Sequence, residues 1–452
     1  MKRHLIGIGG VGMSALATAL VRLGDEVTGA DRTLGTPNVK FLESLGVKVC
    51  PDDGSGIDSS TDEVIVSTAI EETNAGLIKA KELGIPVTHR AKALSRTLKD
   101  YKLVAVVGTC GKSTVTAMLG HVLAECGLDP MCVNGANVPG WEGAVRFGKG
   151  EYAVAEVDES DKSLVAFKPY AAIVTNASAD HYSKEEMDEV FDAFIRDCKG
   201  PVIDGRKGLE GLGSLEGLGG LGSLGGLEGL GGLDVPIPGK HNLQNAQHAV
   251  LMAIALGVEP EKAIAAMKTF RGVERRLQLI TSQTSQTSQT FQTSKPPKPP
   301  KPVVYDDYAH NPEKLKAMWT TLAEKHPEGI CVIWRPHGYA PLRKMMDALA
   351  AMFAETVRAC DKLLLLPVYD AGGTTDRSVN SDQLASRLPG REGTTSGLQQ
   401  GGCAGSTRFE LVDDLDAAYA WCETHKGDYA AFVTCGARDP GLPVLAKRLS
   451  EM

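Results

Sequence analysis

Gly108-Thr109-Cys110-Gly111-Lys112-Ser113-Thr114 follows the apolar run Leu103–Val107 and precedes an amphipathic stretch. A glycine-rich turn between a buried strand and a helix can wrap backbone N–H groups around phosphates. Lys112 would neutralise the β- and γ-oxygens of a nucleotide, and Ser113 would ligate Mg²⁺. Position 106 is valine where the full eight-residue loop has glycine, so this is a shortened variant. Farther on, Glu156-Val157-Asp158-Glu159-Ser160-Asp161 follows the apolar YAVA. Carboxylates at the C-terminal end of a strand can hold the same Mg²⁺. The next apolar run, AAIVTN, ends in Asn176, with Asp180 and His181 just beyond. A neutral His181 nitrogen near carboxylates could complete a metal shell; an isolated His–Asp pair would be a solvated turn, but the preceding strand and the phosphate loop favour the functional reading.

A second loop, Gly7-Ile8-Gly9-Gly10-Val11-Gly12, also lies between an apolar strand and a helix. Its spacing fits GxGxxG, in which glycines allow close backbone approach and the helix start offers N–H groups to a phosphate. Asp31 closes the following strand, where a ribose-binding acid belongs. By itself the loop indicates a dinucleotide or nucleotide-diphosphate ligand, and a turn that only packs helix on strand is the alternative. Two such loops in separate segments favour one anionic substrate plus ATP. That combination fits a ligase better than a dehydrogenase, which needs the first loop alone.

These loops need parallel sheets with crossover helices to hold them. Short apolar runs alternate with amphipathic stretches through three α/β segments. The expected domains are 1–100, Rossmann-like; 101–302, P-loop ATPase-like; and 303–452, again Rossmann-like. At 452 residues the chain agrees with three domains of about 150 residues each. Two low-complexity tracts interrupt the middle segment, at 205–233 and 281–302. From Leu209 to Leu233 a leucine recurs at every third position, and TSQ triplets then lead into KPPKPPKP. Period three fits neither a helix face nor a strand, and the KPP run favours a polyproline II spacer.

A net charge of −8 argues against nucleic-acid and membrane-surface partners. The ten cysteines include no CxxC pair, as expected for reduced thiols in the cytoplasm. The basic, apolar start MKRHLIGIGGVGMSALATALV superficially resembles a signal peptide. Its glycines suit a phosphate loop better.

The ordered motifs GIGGVGMS, GTCGKST, EVDESD, TNASADH, GKHNLQN, ERR and DDYAHNP resemble the Mur ligase family. The resemblance covers nearly the whole chain outside the triplet tracts. It implies that Gly7, Gly9, Gly10, Gly12 and Asp31 hold the diphosphate end of UDP-N-acetylmuramate, with Asn176 and His337 also on the substrate side. ATP would be bound by Gly108, Thr109, Gly111, Lys112, Ser113 and Thr114. Ser113, Glu156 and His181 would ligate Mg²⁺, and Lys112, Glu156 and His181 form the implied catalytic set. Asn245 matches the adenine contact and Arg276 an arginine reaching the nucleotide. Asp307 and His310 match residues closing over ATP and a free amino acid. Read from the residues alone, Asn245 is a helix cap and Arg276 a surface charge. The implied reaction joins an amino acid, L-alanine foremost, to the substrate carboxylate through an acyl phosphate. A cytoplasmic monomer or weak homodimer is expected.

This sequence departs from the family pattern at Cys110, where histidine is usual. It also departs at Trp334-Arg335-Pro336-His337-Gly338-Tyr339, which has no arginine directly after His337. Arg335 and Arg343 are the candidate substitutes. Two rivals remain: an NAD-linked oxidoreductase, which leaves Lys112 unused, and a non-catalytic nucleotide-binding protein, motivated by the triplet tracts.

Overall fold

The computed structural model describes residues 1–158, 163–177, 184–208, 230, 233–280, 303–370, 375–389 and 408–452. Glu159, Ser160, Asp161, Asp180 and His181 lie outside the described residues. So does the segment 281–302, and so does the Gly-Leu tract apart from Leu230, Leu233 and the positions before Leu209. The chain forms two compact units: Met1–Ile237 with His241–Val273, and Pro238–Lys240 with Glu274–Met452.

The first sheet of the first unit contains β1 (Lys2–Ile6), β2 (Glu26–Asp31), β3 (Lys48–Pro51), β4 (Glu63–Val66) and β5 (Val87–His89). Their order is β3-β2-β1-β4-β5, and all pairs are parallel. Helices α1 (Val11–Arg22), α2 (Pro37–Ser44), α3 (Ala75–Glu82) and α4 (Arg90–Thr97) make the crossovers and flanks. Ala15, Ala17 and Ala19 are buried on α1, and their small size lets that helix lie close to its neighbours. After β3 the chain passes to the other side of β1, so the loops leaving β1 and β4 diverge. Such a reversal opens a crevice at the C-terminal ends of the strands.

A second sheet holds β6 (Lys102–Val107), β7 (Met131–Val133), β8 (Val145–Arg146), β9 (Tyr152–Glu156), β10 (Ala171–Val174) and β11 (Val202–Asp204). Its order is β11-β10-β6-β9-β7-β8, with only β8 antiparallel. Strand β6 is central, and its residues 103–107 are all buried, as expected of a strand covered on both faces. Helix α5 (Lys112–Glu125) follows it and α6 (Lys184–Arg196) follows β10. The reversal falls between β9 and β10, so the loops after β6, β9 and β10 meet at one edge.

The apolar residues between the first two sheets pack into one continuous cluster. Leu16, Leu94 and Leu98 belong to one buried cluster with Val145, Phe167 and Phe191.

The second unit has β12 (Gln278–Ile280), β13 (Val303–Asp307), β14 (Ile330–Trp334), β15 (Lys362–Leu365), β16 (Phe409–Leu411) and β17 (Ala431–Cys435). The order is β12-β13-β17-β14-β15-β16, parallel except for β12. The unit opens at Glu274, because β12 adds itself to the edge of β13. All nine described cysteines are free, and no described helix is long and apolar enough to cross a membrane.

Candidate active site

Loop 108–111 hangs from the central strand β6 and delivers the chain into α5. Gly108 has φ +125° and Gly111, the N-cap of α5, has φ +86°, a region open mainly to glycine. A methyl on Gly108 would come within 2.9 Å of the Asn176 carbonyl, and closer to the Thr175 hydroxyl. On Gly111 it would meet Asn245 Oδ1 at 2.5 Å. Both glycines are therefore required by neighbours as well as by dihedral angle. Lys112 Nζ donates to the Gly108 carbonyl at 2.8 Å and lies 3.9 Å from Asp158 Oδ1. Thr109, Ser113 and Thr114 are buried at the helix start.

The structure places Asn176 on this loop. Its Oδ1 accepts the Cys110 N–H at 3.0 Å and its Nδ2 donates to the Cys110 carbonyl at 2.9 Å. Thr175 Oγ1 donates to the same carbonyl at 2.6 Å. The amide expected on the substrate side thus braces the phosphate loop from the end of β10. Asn176→Ala should leave the Cys110 N–H without this partner and loosen the cradle. The expected result is a rise of about ten-fold in KM for ATP, measured by steady-state kinetics, with a smaller change in kcat.

The first glycine loop is tied down in a comparable way. Gly7 has φ +74°, and the N–H groups of Gly7 and Ile8 both donate to the Ala30 carbonyl, at 2.8 and 3.1 Å. Asp31 accepts the Gly9 N–H at 2.8 Å and the Thr33 N–H at 2.9 Å, so its carboxylate fixes the loop at the end of β2.

A cavity of about 530 Å³ joins the two sheets. Gly7, Gly10, Gly12, Asp31, Arg32, Ser67 and Arg90 line it from the first sheet; Asn134, Gly135, Glu156 and Asp158 line it from the second. Its volume is that of a site for a drug-sized or larger ligand. It carries cations beside the α1 N-terminus and carboxylates at the end of β9.

Arg90, Ser67 and Gly135 were not singled out in the sequence. Ser67 follows β4 at the point where the strand order reverses, a signal that strand assignment could have supplied. Arg90 carried no such signal. Its guanidinium lies so close to Gly12 that a methyl there would be 3.3 Å from Nη1.

In the second unit, Asp307 accepts the N–H groups of Leu277 and Ala309, each at 2.7 Å. The Arg276 guanidinium sits 5.2 Å from the Tyr308 ring centroid. His310 and His337, from the loops after β13 and β14, make an edge contact with centroids 4.7 Å apart. Burial, with Lys314 adding to it, pushes the His310 imidazole down to about 3, so it is neutral at physiological pH. Its Nδ1–H donates to the Tyr308 carbonyl at 2.9 Å, which leaves Nε2 as an acceptor. Arg335 is held by Asp439 at 2.8 Å, and Arg343 pairs with Asp376 at 2.7 Å. Both candidate substitutes for the missing arginine therefore have carboxylate partners.

Residues 2–102 match the Mur ligase family, catalytic domain, and residues 291–438 match the Mur ligase, glutamate ligase domain. The UDP-N-acetylmuramate–L-alanine ligase of Rubrobacter xylanophilus is 33% identical over 470 residues, covering 97% of each chain. The chain belongs to the Mur ligase family. Among solved structures, the UDP-N-acetylmuramate–alanine ligase of Thermotoga maritima superposes on this Mur ligase with a TM-score of 0.75. That match has 23% identity and covers 100% of this chain and 98% of the other, so it supports the shared three-domain α/β fold. A bifunctional folylpolyglutamate synthase/dihydrofolate synthase from Yersinia pestis, complexed with AMPPNP and Mn ion, matches at a TM-score of 0.51. It is 14% identical and covers 80% of this Mur ligase and 92% of its own chain.

Proposed function

We propose that this chain joins L-alanine to the carboxylate of UDP-N-acetylmuramate with hydrolysis of ATP, as a step of peptidoglycan precursor synthesis in the cytoplasm. The observation that carries this reading is the cavity running from the Gly7–Gly12 loop to Glu156 and Asp158, the latter 3.9 Å from Lys112. A nucleotide diphosphate suits the glycine loop, where α1 begins and Arg90 and Arg32 add positive charge. The far end of such a ligand would then lie by the carboxylates near the phosphate loop. The relatives' shared activity supports the same assignment.

Ser113 and Glu156 fit a hard divalent cation, since both offer oxygen donors and Glu156 reaches the cavity. With His181 as the further proposed ligand, waters and nucleotide phosphates would complete a Mg²⁺ shell. Bound there, Mg²⁺ supplies charge neutralisation on the phosphates. Lys112 would leave the Gly108 carbonyl for the β- and γ-oxygens, and the 108–111 N–H groups would hold the phosphates in line. A substrate carboxylate oxygen attacks the γ-phosphorus, the bond to the bridging oxygen breaks, and ADP leaves. The amine then attacks the acyl carbon, phosphate departs with its bonding pair, and the surplus amine proton is lost. Asn245, Arg276, Asp307, His310 and His337 are the further residues proposed for nucleotide and amino-acid contacts.

The test supplies purified protein with ATP, Mg²⁺, UDP-N-acetylmuramate and, in separate reactions, each of several amino acids. Phosphate release coupled to a product heavier by one alanine residue is expected. No phosphate release with any acceptor overturns the reading. Release confined to another amino acid overturns the L-alanine assignment.

A further inference from the structure

Gly135 occupies a place where any side chain would displace the carboxylate of Glu156. Its backbone is outside the left-handed region, so its dihedral angles give no reason for glycine. The reason is Glu156. A methyl on Gly135 would stand 2.6 Å from the Glu156 carboxyl carbon and 2.7 Å from Oε1, with Oε2 nearer still. The Gly135 N–H meanwhile donates to Glu156 Oε2 at 2.8 Å. The carboxylate therefore lies flat on the Cα of Gly135 and is pinned by its amide.

The turn cannot easily move aside. Strand β7 pairs with β9 so that Val133 faces Ala155, which brings the residues after both strands side by side. Asn134 N–H donates to the Ala144 carbonyl at 2.9 Å, closing the 134–144 loop at its base. On the outer side of that loop, Arg22 of α1 holds Glu142 with two bonds of 2.6 Å. The backbone at 135 is thus held by the adjoining sheet and the closed base of the loop, and a clash there is relieved at the Glu156 side chain.

We propose that Gly135 is a positioning residue for the metal-binding carboxylate. Its amide holds one oxygen of Glu156, and its missing side chain lets the carboxylate lie at the cavity wall with the other oxygen available to a divalent cation. The proposal rests on the assignment of Glu156 as a metal ligand. Partners that orient a ligating group typically change metal affinity by about 10- to 100-fold when lost.

The experiment titrates Mn²⁺ into the full-length protein with a non-hydrolysable ATP analogue present, reading free Mn²⁺ by electron paramagnetic resonance. Gly135→Ala should weaken Mn²⁺ binding by about ten-fold or more. Glu156→Asp shortens the side chain by one methylene and gives the methyl room. Gly135→Ala added to Glu156→Asp should therefore change Mn²⁺ affinity by less than about three-fold, a coupling that a general loss of structure does not produce. This second background keeps the test valid if Gly135→Ala alone folds poorly. Equal losses in both backgrounds, or wild-type affinity in Gly135→Ala, overturn the positioning role. Wild-type affinity in Glu156→Gln is the separate outcome that removes the metal-ligand assignment, and the positioning role with it.

Discussion

Lys112→Ala should lower the rate of ATP-dependent phosphate release by on the order of 10³-fold while the protein stays folded. Phosphoryl transfer relies on positioning and on neutralising charge over the phosphate oxygens, and Lys112 is the described cation at the phosphate loop. Its Nζ now donates to the Gly108 carbonyl and lies near Asp158, so it is already directed at the loop that would enclose the phosphates. Its loss should not unfold the chain. A positive side chain in the first turn of α5 opposes the helix dipole, so alanine there is neutral or slightly stabilising. Steady-state phosphate release and a thermal melt check the two halves together. Activity within ten-fold of wild type would remove Lys112 from the mechanism.

The second large effect concerns stability. Arg275→Ala should destabilise the second unit by about 3–5 kcal/mol, because it leaves a fully buried carboxylate without its cation. Arg275 Nε donates to Asp306 Oδ2 at 2.9 Å, and Asp306 is 0% exposed. Thr434 Oγ1 donates to the other oxygen at 2.6 Å, and Arg275 Nη2 donates to the Gly436 carbonyl at 2.6 Å. The arginine also keeps its own backbone at φ +58°, which a non-glycine residue adopts only when its surroundings hold it.

Burial pushes the Asp306 carboxyl up to about 6, even with Arg275 beside it. A carboxyl raised in the folded state binds its proton more tightly there than in the unfolded chain. Its contribution to stability is therefore greatest below the ordinary carboxylate range and declines as pH rises toward about 6. Without Arg275 the carboxyl rises further and the decline continues to higher pH. The penalty of Arg275→Ala should thus be larger at pH 8 than at pH 5, and denaturant unfolding at the two values measures it. Equal penalties would mean that the carboxyl is not the group left uncompensated.

Arg275 also shows where sequence reading stops. The ERR triplet was legible as a motif, and Arg276 was chosen from it. The neighbour that reaches the buried Asp306 is known only once β12 and β13 are paired. Local grammar, strand then glycine turn then helix, located both loops correctly in chain position, because those signals span a dozen residues. Which strands lie adjacent is a long-range property. Strand β9 enters between β6 and β7 although it follows both in sequence, and that insertion alone sets Gly135 against Glu156. The clasp of Asn176 on the Cys110 backbone is likewise not legible locally, since nothing in the motif says that an amide after β10 will reach that turn. The assignment of His181 lies outside the described residues.

The core shared by the first two sheets has a consequence for how the protein is made. A ribosome that has released only the first hundred residues has delivered a sheet whose Leu16, Leu94 and Leu98 still lack their later companions. Phe167 and Phe191 emerge more than sixty residues afterwards, and only then does the apolar flank close. The nascent amino-terminal segment must wait with that flank wet, which makes it a natural client for a chaperone. A gene truncated near its first quarter should yield aggregates, whereas one ending after Val273 retains every member of the shared core.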